Sequence, residues 1–194
     1  MQKPGLTLIK AIIFDFFWVL VTEGFKLFCD THFPNDRQKR QKAIDLVNKH
    51  DSGLISMEEF YAGLASLAGI EYSLAEAINS NQPNLPLINY IREELKPKYK
   101  IGVLSNSGDD YISRMLDPMD VKIFDDVILS YRHGTVKPEP QIFKLATQRL
   151  KILPEEAVFI DDSPKHIEGA RNVGMKVILY KDFKRMKTEL EALL

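Results

Sequence analysis

Four short stretches of this chain carry side chains able to do chemistry together. Asp15 closes the apolar run Ala11-Ile12-Ile13-Phe14, and Ser105-Asn106 closes Ile101-Gly102-Val103-Leu104. Lys137 stands before Pro138, and the pair Asp161-Asp162 closes Ala157-Val158-Phe159-Ile160. A carboxylate, a hydroxyl, an ammonium and an acidic pair suit phosphoryl transfer. An Asp nucleophile divides such a hydrolysis into two steps through an aspartyl-phosphate. Like charge resists its attack on a phosphate, so a Mg²⁺ is needed to bridge carboxylate and phosphate oxygen. Asp15 with Asp161 or Asp162 offers the few carboxylates that ion prefers. Lys137 would offset charge on the phosphoryl group and on Asp15. Ser105 and Asn106, a hydroxyl with exposed backbone N–H groups, would hold the phosphoryl oxygens. Two residues after Asp15, where a second carboxylate would handle protons, the chain has Phe17.

These groups need a scaffold that brings strand ends together. The run at 11–14 is too short for a confident helix and reads as a strand buried on both faces of a parallel sheet. Further strands are expected at 100–105, 127–129, 157–161 and 176–180, with helices at 85–96, 109–116, 139–150 and from Ser163-Pro164 to Gly174. Pro138 disfavours helical geometry at Lys137, so the lysine is expected to be extended ahead of its helix. Residues 22–82 have a different texture, charged and helical. A polar helix is expected over 36–47. A capping box pairs Ser56 with Glu59 at the start of a helix that Gly69 ends, and a short helix is expected from Ser73 to Ile78. The loop 79–84 follows. The alternation predicts an α/β, doubly wound parallel sheet with an all-α insertion after the first strand. Ligands of such sheets lie outside the carboxyl ends of the strands, where the four stretches place their chemistry.

Composition narrows the classes. The 194 residues are 45% hydrophobic, enough for a sizeable core, and carry a formal net charge of −1. That balance gives no support for nucleic-acid or membrane-surface binding. The single Cys29 excludes an internal disulfide and a cysteine zinc cage, which fits a reducing cytoplasm. Neither a signal peptide nor a membrane span is expected.

The ordered set Phe14-Asp15-Phe16-Phe17-Trp18-Val19-Leu20, Leu104-Ser105-Asn106, Gly134-Thr135-Val136-Lys137-Pro138-Glu139-Pro140 and Phe159-Ile160-Asp161-Asp162-Ser163 resembles the haloacid dehalogenase-like hydrolase superfamily. The segment from Phe124-Asp125-Asp126 through Lys137 to Gly174 looks closest to the branch of alpha-glucose-1-phosphate phosphatases and soluble epoxide hydrolase N-terminal domains. The resemblance implies a Rossmann-like core at 1–20 and 83–194 and a small helical cap at 21–82. It implies Asp15 as nucleophile, Ser105 as phosphate-binding hydroxyl, Lys137 as stabilising lysine, and Asp161 and Asp162 as Mg²⁺-binding acids. The backbone carbonyl of residue 17 also binds Mg²⁺ in the family, a role Phe17 could keep. Its side chain departs from the usual acid/base Asp, and Trp18 stands where Gly is common and would crowd the turn.

The expected activity is a Mg²⁺-dependent phosphatase of a small phosphorylated metabolite, a sugar phosphate included. It should be slow for want of an acid/base group worth roughly 10²–10⁴-fold, and should favour good leaving groups such as anomeric or acyl phosphates. Two alternatives are a catalytically impaired relative that binds a ligand or protein, with Phe17 and Trp18 plugging the site, and a metal-independent dehalogenase. The acidic pair argues against the latter. Phe16, Phe17 and Trp18 also read as simple packing between core and insertion. Arg132 and His133 read as loop residues, and His32, Arg37, Arg40 and His50 as solvated helix faces that could otherwise read a leaving group.

Overall fold

The computed structural model describes residues 8–21, 24–71 and 82–194. Five parallel strands form one sheet in the order β3-β2-β1-β4-β5. They are β1 (Ala11–Phe14), β2 (Lys100–Ser105), β3 (Asp126–Leu129), β4 (Ala157–Asp161) and β5 (Lys176–Leu179). β1 lies at the centre, with Phe14 opposite Val103 of β2 and Ile160 of β4. The ends of these three strands therefore fall at one level on one edge. The doubly wound parallel sheet is as the strand–helix alternation predicts.

Alternate residues of each strand point to opposite faces. Ile12 and Phe14 join Ile101, Val103, Val158 and Ile160 in one apolar cluster. There they meet Leu87 and Ile88 of α4 (Leu85–Tyr90) and Met186 and Leu190 of α9 (Phe183–Glu191). Ala11 and Ile13 join Leu104 and Phe159 on the other face. That face packs on Ile142, Phe143 and Ala146 of α7 (Pro140–Arg149) and Ile167 and Ala170 of α8 (Pro164–Asn172). Each large side chain so buried is worth about 1.5–3 kcal/mol. α8 presses close on the loop before α7: a Cβ at Gly169 would lie 2.7 Å from the Pro138 ring and carbonyl. The residue next to Lys137 is thus held from behind.

Between β1 and α4 run α1 (Gly24–His32), α2 (Arg37–Asp51) and α3 (Met57–Ala68). They share an apolar cluster of their own around Phe28, Phe33, Ala43, Phe60 and Leu64. The capping box at α3 is formed, with Glu59 N–H donating to Ser56 Oγ at 3.1 Å and Ser56 N–H to Glu59 Oε2 at 2.7 Å. Gly69 ends that helix at φ +70°. α2 runs four residues past the expected end at 47, to Asp51. The expected helix at 73–78 lies outside the described residues.

Other expectations are corrected. The helix expected at 85–96 is α-helical only to Tyr90, and Ile91–Leu95 continues as a π turn. The helix expected at 109–116 shrinks to α5 (Ile112–Met115). Ser107 Oγ bonds the Asp109 carbonyl, and Asp109 Oδ1 accepts the Asp110 N–H at 2.6 Å, so side chains take the backbone groups a first turn would use. α6 (Pro118–Val121) follows at once, capped by Asp117. α9 was not anticipated; Asp182 Oδ1 accepts the Arg185 N–H at 2.9 Å and starts it. No helix among the described residues is long and apolar enough to cross a membrane.

Candidate functional site

The centre of the strand-end edge is a buried lysine between two carboxylates. Lys137 Nζ lies 2.6 Å from Asp15 Oδ1 and 2.8 Å from Asp161 Oδ2. All three residues are buried. The Asp15 N–H donates to the Ile160 carbonyl at 2.9 Å, which extends the β1–β4 pairing into the site. Its Oδ1 also accepts the Phe16 N–H at 2.7 Å. Asp161 Oδ1 accepts the Ser163 N–H at 2.8 Å, and His166 Nδ1 lies 3.1 Å from both of its oxygens. His166 was not anticipated. Its place in the first turn of α8, five residues past Asp161, is the signal that could have found it.

Lys137 reaches its place because its backbone is fixed. Asn106 Oδ1 accepts the Lys137 N–H at 2.7 Å, and Asn106 Nδ2 donates to the Lys137 carbonyl at 3.0 Å. The amide of Asn106 is therefore engaged with the lysine's main chain. The peptide bond to Pro138 is cis. Ser105, at the end of β2, is buried, with Oγ 3.3 Å from the Asn106 carbonyl. Asp162 is half-buried and stands outside the group formed by Asp15, Asp161 and His166, whose ligand atoms lie within 4.8 Å of one another.

The electrostatics follow from this burial. Burial first, and then the Asp161 carboxylate, push Asp15 well above the ordinary carboxylate range, against the pull of Lys137. Burial would also raise Asp161, but Lys137 and His166 outweigh it and hold that carboxyl down. Burial would lower Lys137, yet Asp15 and Asp161 keep its ammonium charged and its pKa raised. Burial and Asp161 raise Asp162. Asp161 is thereby the more readily ionised of the closely spaced pair, while the Lys137 ammonium draws Asp15 toward its carboxylate form.

The turn after Asp15 is tight. Leu20 and Val21 N–H groups both donate to the Phe16 carbonyl, at 2.9 and 3.1 Å, and Trp18 N–H donates to the Val21 carbonyl at 3.0 Å. Trp18 is left-handed at φ +69°, a conformation that costs a side-chain-bearing residue about 1–2 kcal/mol. The crowding expected at this position is therefore carried by the backbone. The Phe17 carbonyl accepts no hydrogen bond among the described residues. Its ring meets Phe16 and Tyr111 edge-on, with centroids 5.0 and 5.2 Å away.

Beside this centre lies a cleft of about 530 Å³ between the end of α2 and the strand-end loops. Asp51 lines it from α2; Asn106, Lys137 and His166 line it from the sheet side. His50 is not the solvated residue expected. It is buried, stacked on Phe60 at 5.2 Å, with Nε2 2.6 Å from the Tyr111 hydroxyl and Nδ1 3.2 Å from the Ile55 carbonyl. Burial lowers its pKa, which keeps the ring neutral. Arg40 bonds the Phe33 and Cys29 carbonyls and Asp30, so it braces the insertion. Arg37 and Arg132 are on exposed surface, whereas His32 is half-buried, with its ring centroid 4.6 Å from that of Phe28.

Known proteins are similar to this chain in sequence and fold. The D-ribitol-5-phosphate phosphatase of Bacteroides thetaiotaomicron is 25% identical over 205 residues, covering 96% of this chain and 99% of that protein. The bifunctional epoxide hydrolase 2 of Sus scrofa is 30% identical over 146 residues, 73% of this chain and 25% of that protein. The chain thus spans about a quarter of the length of the epoxide hydrolases it matches. The crystal structure of a wild-type HAD family enzyme from Bacteroides thetaiotaomicron, in complex with magnesium and inorganic phosphate, matches with a TM-score of 0.66 at 26% identity. That match covers 92% of this chain and 98% of that one. A sequence profile described as haloacid dehalogenase-like hydrolase matches residues 69–180, more than half of the chain. With the parallel sheet and its strand-end chemistry already in place, the chain belongs to the haloacid dehalogenase-like hydrolase family.

Proposed function

We propose that this hydrolase is a Mg²⁺-dependent phosphatase of a small phosphorylated metabolite, acting through an aspartyl-phosphate on Asp15. The observation that carries the reading is the buried Lys137 ammonium bonded to both Asp15 and Asp161 at the carboxyl edge of a parallel sheet. Oδ1 of Asp15 is held by Phe16 N–H and Lys137, which orients Oδ2 as the attacking oxygen. Lys137 offsets the charge that gathers as phosphoryl group and nucleophile meet, and Ser105 holds a phosphoryl oxygen.

The donor set fits a hard divalent cation. Asp15 and Asp161 offer carboxylate oxygens, the Phe17 carbonyl accepts no hydrogen bond among the described residues, and Asp162 is adjacent. Bound there, Mg²⁺ would supply charge neutralisation between nucleophile and phosphate. A phosphorylated polyol or sugar is the substrate class most in keeping with the relatives, which include D-ribitol-5-phosphate and glyceraldehyde 3-phosphate phosphatases. We assign residues 1–20 and 83–194 to the core and 21–82 to a cap over the cleft, on the separate apolar cluster of α1–α3. A site limited to these groups is slow, because the Phe17 side chain moves no proton and general acid/base catalysis is worth about 10²–10⁴-fold.

The test is turnover of p-nitrophenyl phosphate by the parent and by Asp15→Asn, with Mg²⁺ and with chelator. Metal-dependent release of nitrophenolate, abolished in Asp15→Asn, is expected. Turnover that survives Asp15→Asn would overturn the assignment of the nucleophile.

A further inference from the structure

The strand ends supply a nucleophile, a cation and, in Asp161 and Asp162, the acids assigned to the metal. Phe17 fills the place two residues past Asp15 with an aromatic ring. The cleft itself offers other candidates, and most are engaged. Glu139 Oε2 accepts from the Thr135 hydroxyl at 2.6 Å and from the Val136 N–H at 3.4 Å. His166 is turned onto Asp161, and Lys137 is closed between two carboxylates. Asp51 differs. It lines the cleft, and its carboxylate takes no hydrogen bond or ion pair among the described residues.

Its position is fixed by its backbone. The Asp51 carbonyl lies 3.1 Å from Ser130 Oγ, which also accepts the Ser107 N–H at 2.9 Å. The preceding residue, His50, is tied to Tyr111 at 2.6 Å. A Cβ at Gly108 would collide with the His50 carbonyl oxygen and imidazole, so the glycine permits the close approach. The end of α2 is therefore clamped to the loops after β2 and β3, the loops that follow Ser105 and lead to Lys137.

We propose that Asp51, from the helical insertion, is a catalytic residue that does the proton work Phe17 does not. The proposal rests on the phosphatase reading of Asp15. In the first half-reaction the Asp15 carboxylate oxygen bonds to phosphorus while the bond from phosphorus to the ester oxygen breaks. The Asp51 acid gives its proton to that oxygen, and an alcohol leaves. In the second, a water oxygen bonds to phosphorus and its proton passes to the Asp51 carboxylate. The bond from phosphorus to Asp15 breaks, phosphate leaves as its hydrogen dianion, and both aspartates return to their starting forms. Burial raises Asp51 to about 7, against a weaker opposing pull from Lys137, which suits a group that gives and takes a proton near neutrality. The charged and titratable groups facing it are Lys137 and Glu139 from the loop before α7, Lys165 and His166 from α8, and Tyr111 from beyond β2.

The test compares glycerol 1-phosphate, a poor leaving group, with p-nitrophenyl phosphate, a good one, in parent, Asp51→Asn and Asp15→Asn at saturating Mg²⁺. Asp51→Asn is expected to lose about 10²–10⁴-fold in kcat/KM on the alkyl ester and about tenfold or less on the aryl ester. It should also lose the fall in alkyl-ester kcat/KM above about pH 7, and release a burst of nitrophenolate as phospho-Asp15 accumulates. Asp51→Ser reads the same outcomes should the Asn variant fail to fold. An unchanged ratio between the two substrates, with the parent's pH profile, overturns the role of Asp51 while Asp15→Asn stays inactive. Activity retained in Asp15→Asn, or no turnover by the parent, overturns the phosphatase reading and this proposal with it.

Discussion

His50 and Tyr111, 61 residues apart, are joined by a buried hydrogen bond of 2.6 Å between the imidazole Nε2 and the phenol oxygen. With Nδ1 directed to the Ile55 carbonyl at 3.2 Å, the ring carries its proton on Nδ1 and accepts the Tyr111 proton on Nε2. This bond fastens the last turn of α2 to the sheet side of the cleft. It also stands next to the two residues on which the chemistry turns: Asp51 follows His50, and Phe17 packs on Tyr111.

Tyr111→Phe keeps the ring and deletes the donor. The His50 acceptor is then buried without a partner, a loss of about 1–3 kcal/mol. Urea denaturation should show that loss, and amide hydrogen exchange at the end of α2 should quicken. Gly108→Ala attacks the same junction sterically and should be the more damaging change. A Tyr111→Phe protein as stable as the parent would mean the bond contributes nothing.

The strand-end groups were legible because an apolar run buried on both faces stops abruptly at a residue that can do chemistry. Asp15, Ser105 and Asp161 sit where such runs end, Lys137 was marked by the proline after it in the loop that follows β3, and the parallel register brings the strand ends together. The helix-borne groups were not legible. His166 and Asp51 enter the site through the packing of α8 and α2 on the sheet, and helical periodicity says which face is apolar without saying what that face meets. His50 looked solvated in a polar helix because its partners, Tyr111 and Phe60, are distant in sequence. The missed α9 had its start signal in Asp182 and an apolar stripe in Met186 and Leu190.

Stability should respond to pH through Asp51. Its folded pKa is about 7 against an ordinary 3.8, so between those values the folded state holds a proton that the unfolded chain has released. Its contribution to stability is full below the lower value and is lost as pH rises through the upper one. Asp51→Asn removes that dependence. Measured by urea denaturation, the variant should gain on the parent steadily from pH 4 to pH 7. A constant difference would mean that Asp51 ionises at its ordinary value.

Lys137→Met leaves Asp15 and Asp161 buried and close, with no cation between them. Breaking a buried pair from one side costs about 3–5 kcal/mol, and a stability loss of that size is expected at pH 7. Acidification supplies the missing positive charge as a proton on one carboxyl. The loss should therefore shrink at pH 5, which guanidinium titrations at both pH values would show. An equal loss at both would place the damage in packing against Phe159, whose ring lies 5.6 Å from Nζ, in place of the charge.

Phe17→Asp restores a carboxylate at the position that lacks one, and its effect should depend on Asp51. The substitution removes the edge-on contacts with Phe16 and Tyr111, so it should cost about 2–4 kcal/mol of stability. In the parent, where Asp51 already moves the protons, the new carboxylate has little to add and alkyl phosphate turnover should change by less than about tenfold. In the Asp51→Asn background the same carboxylate becomes the sole proton handler, and alkyl phosphate turnover should rise by about 10²-fold or more. The two substitutions would then be strongly non-additive, as expected for groups that serve one function. Additive effects, with equal gains from Phe17→Asp in both backgrounds, would show that Asp51 handles no proton and that the site had been waiting only for a residue at 17.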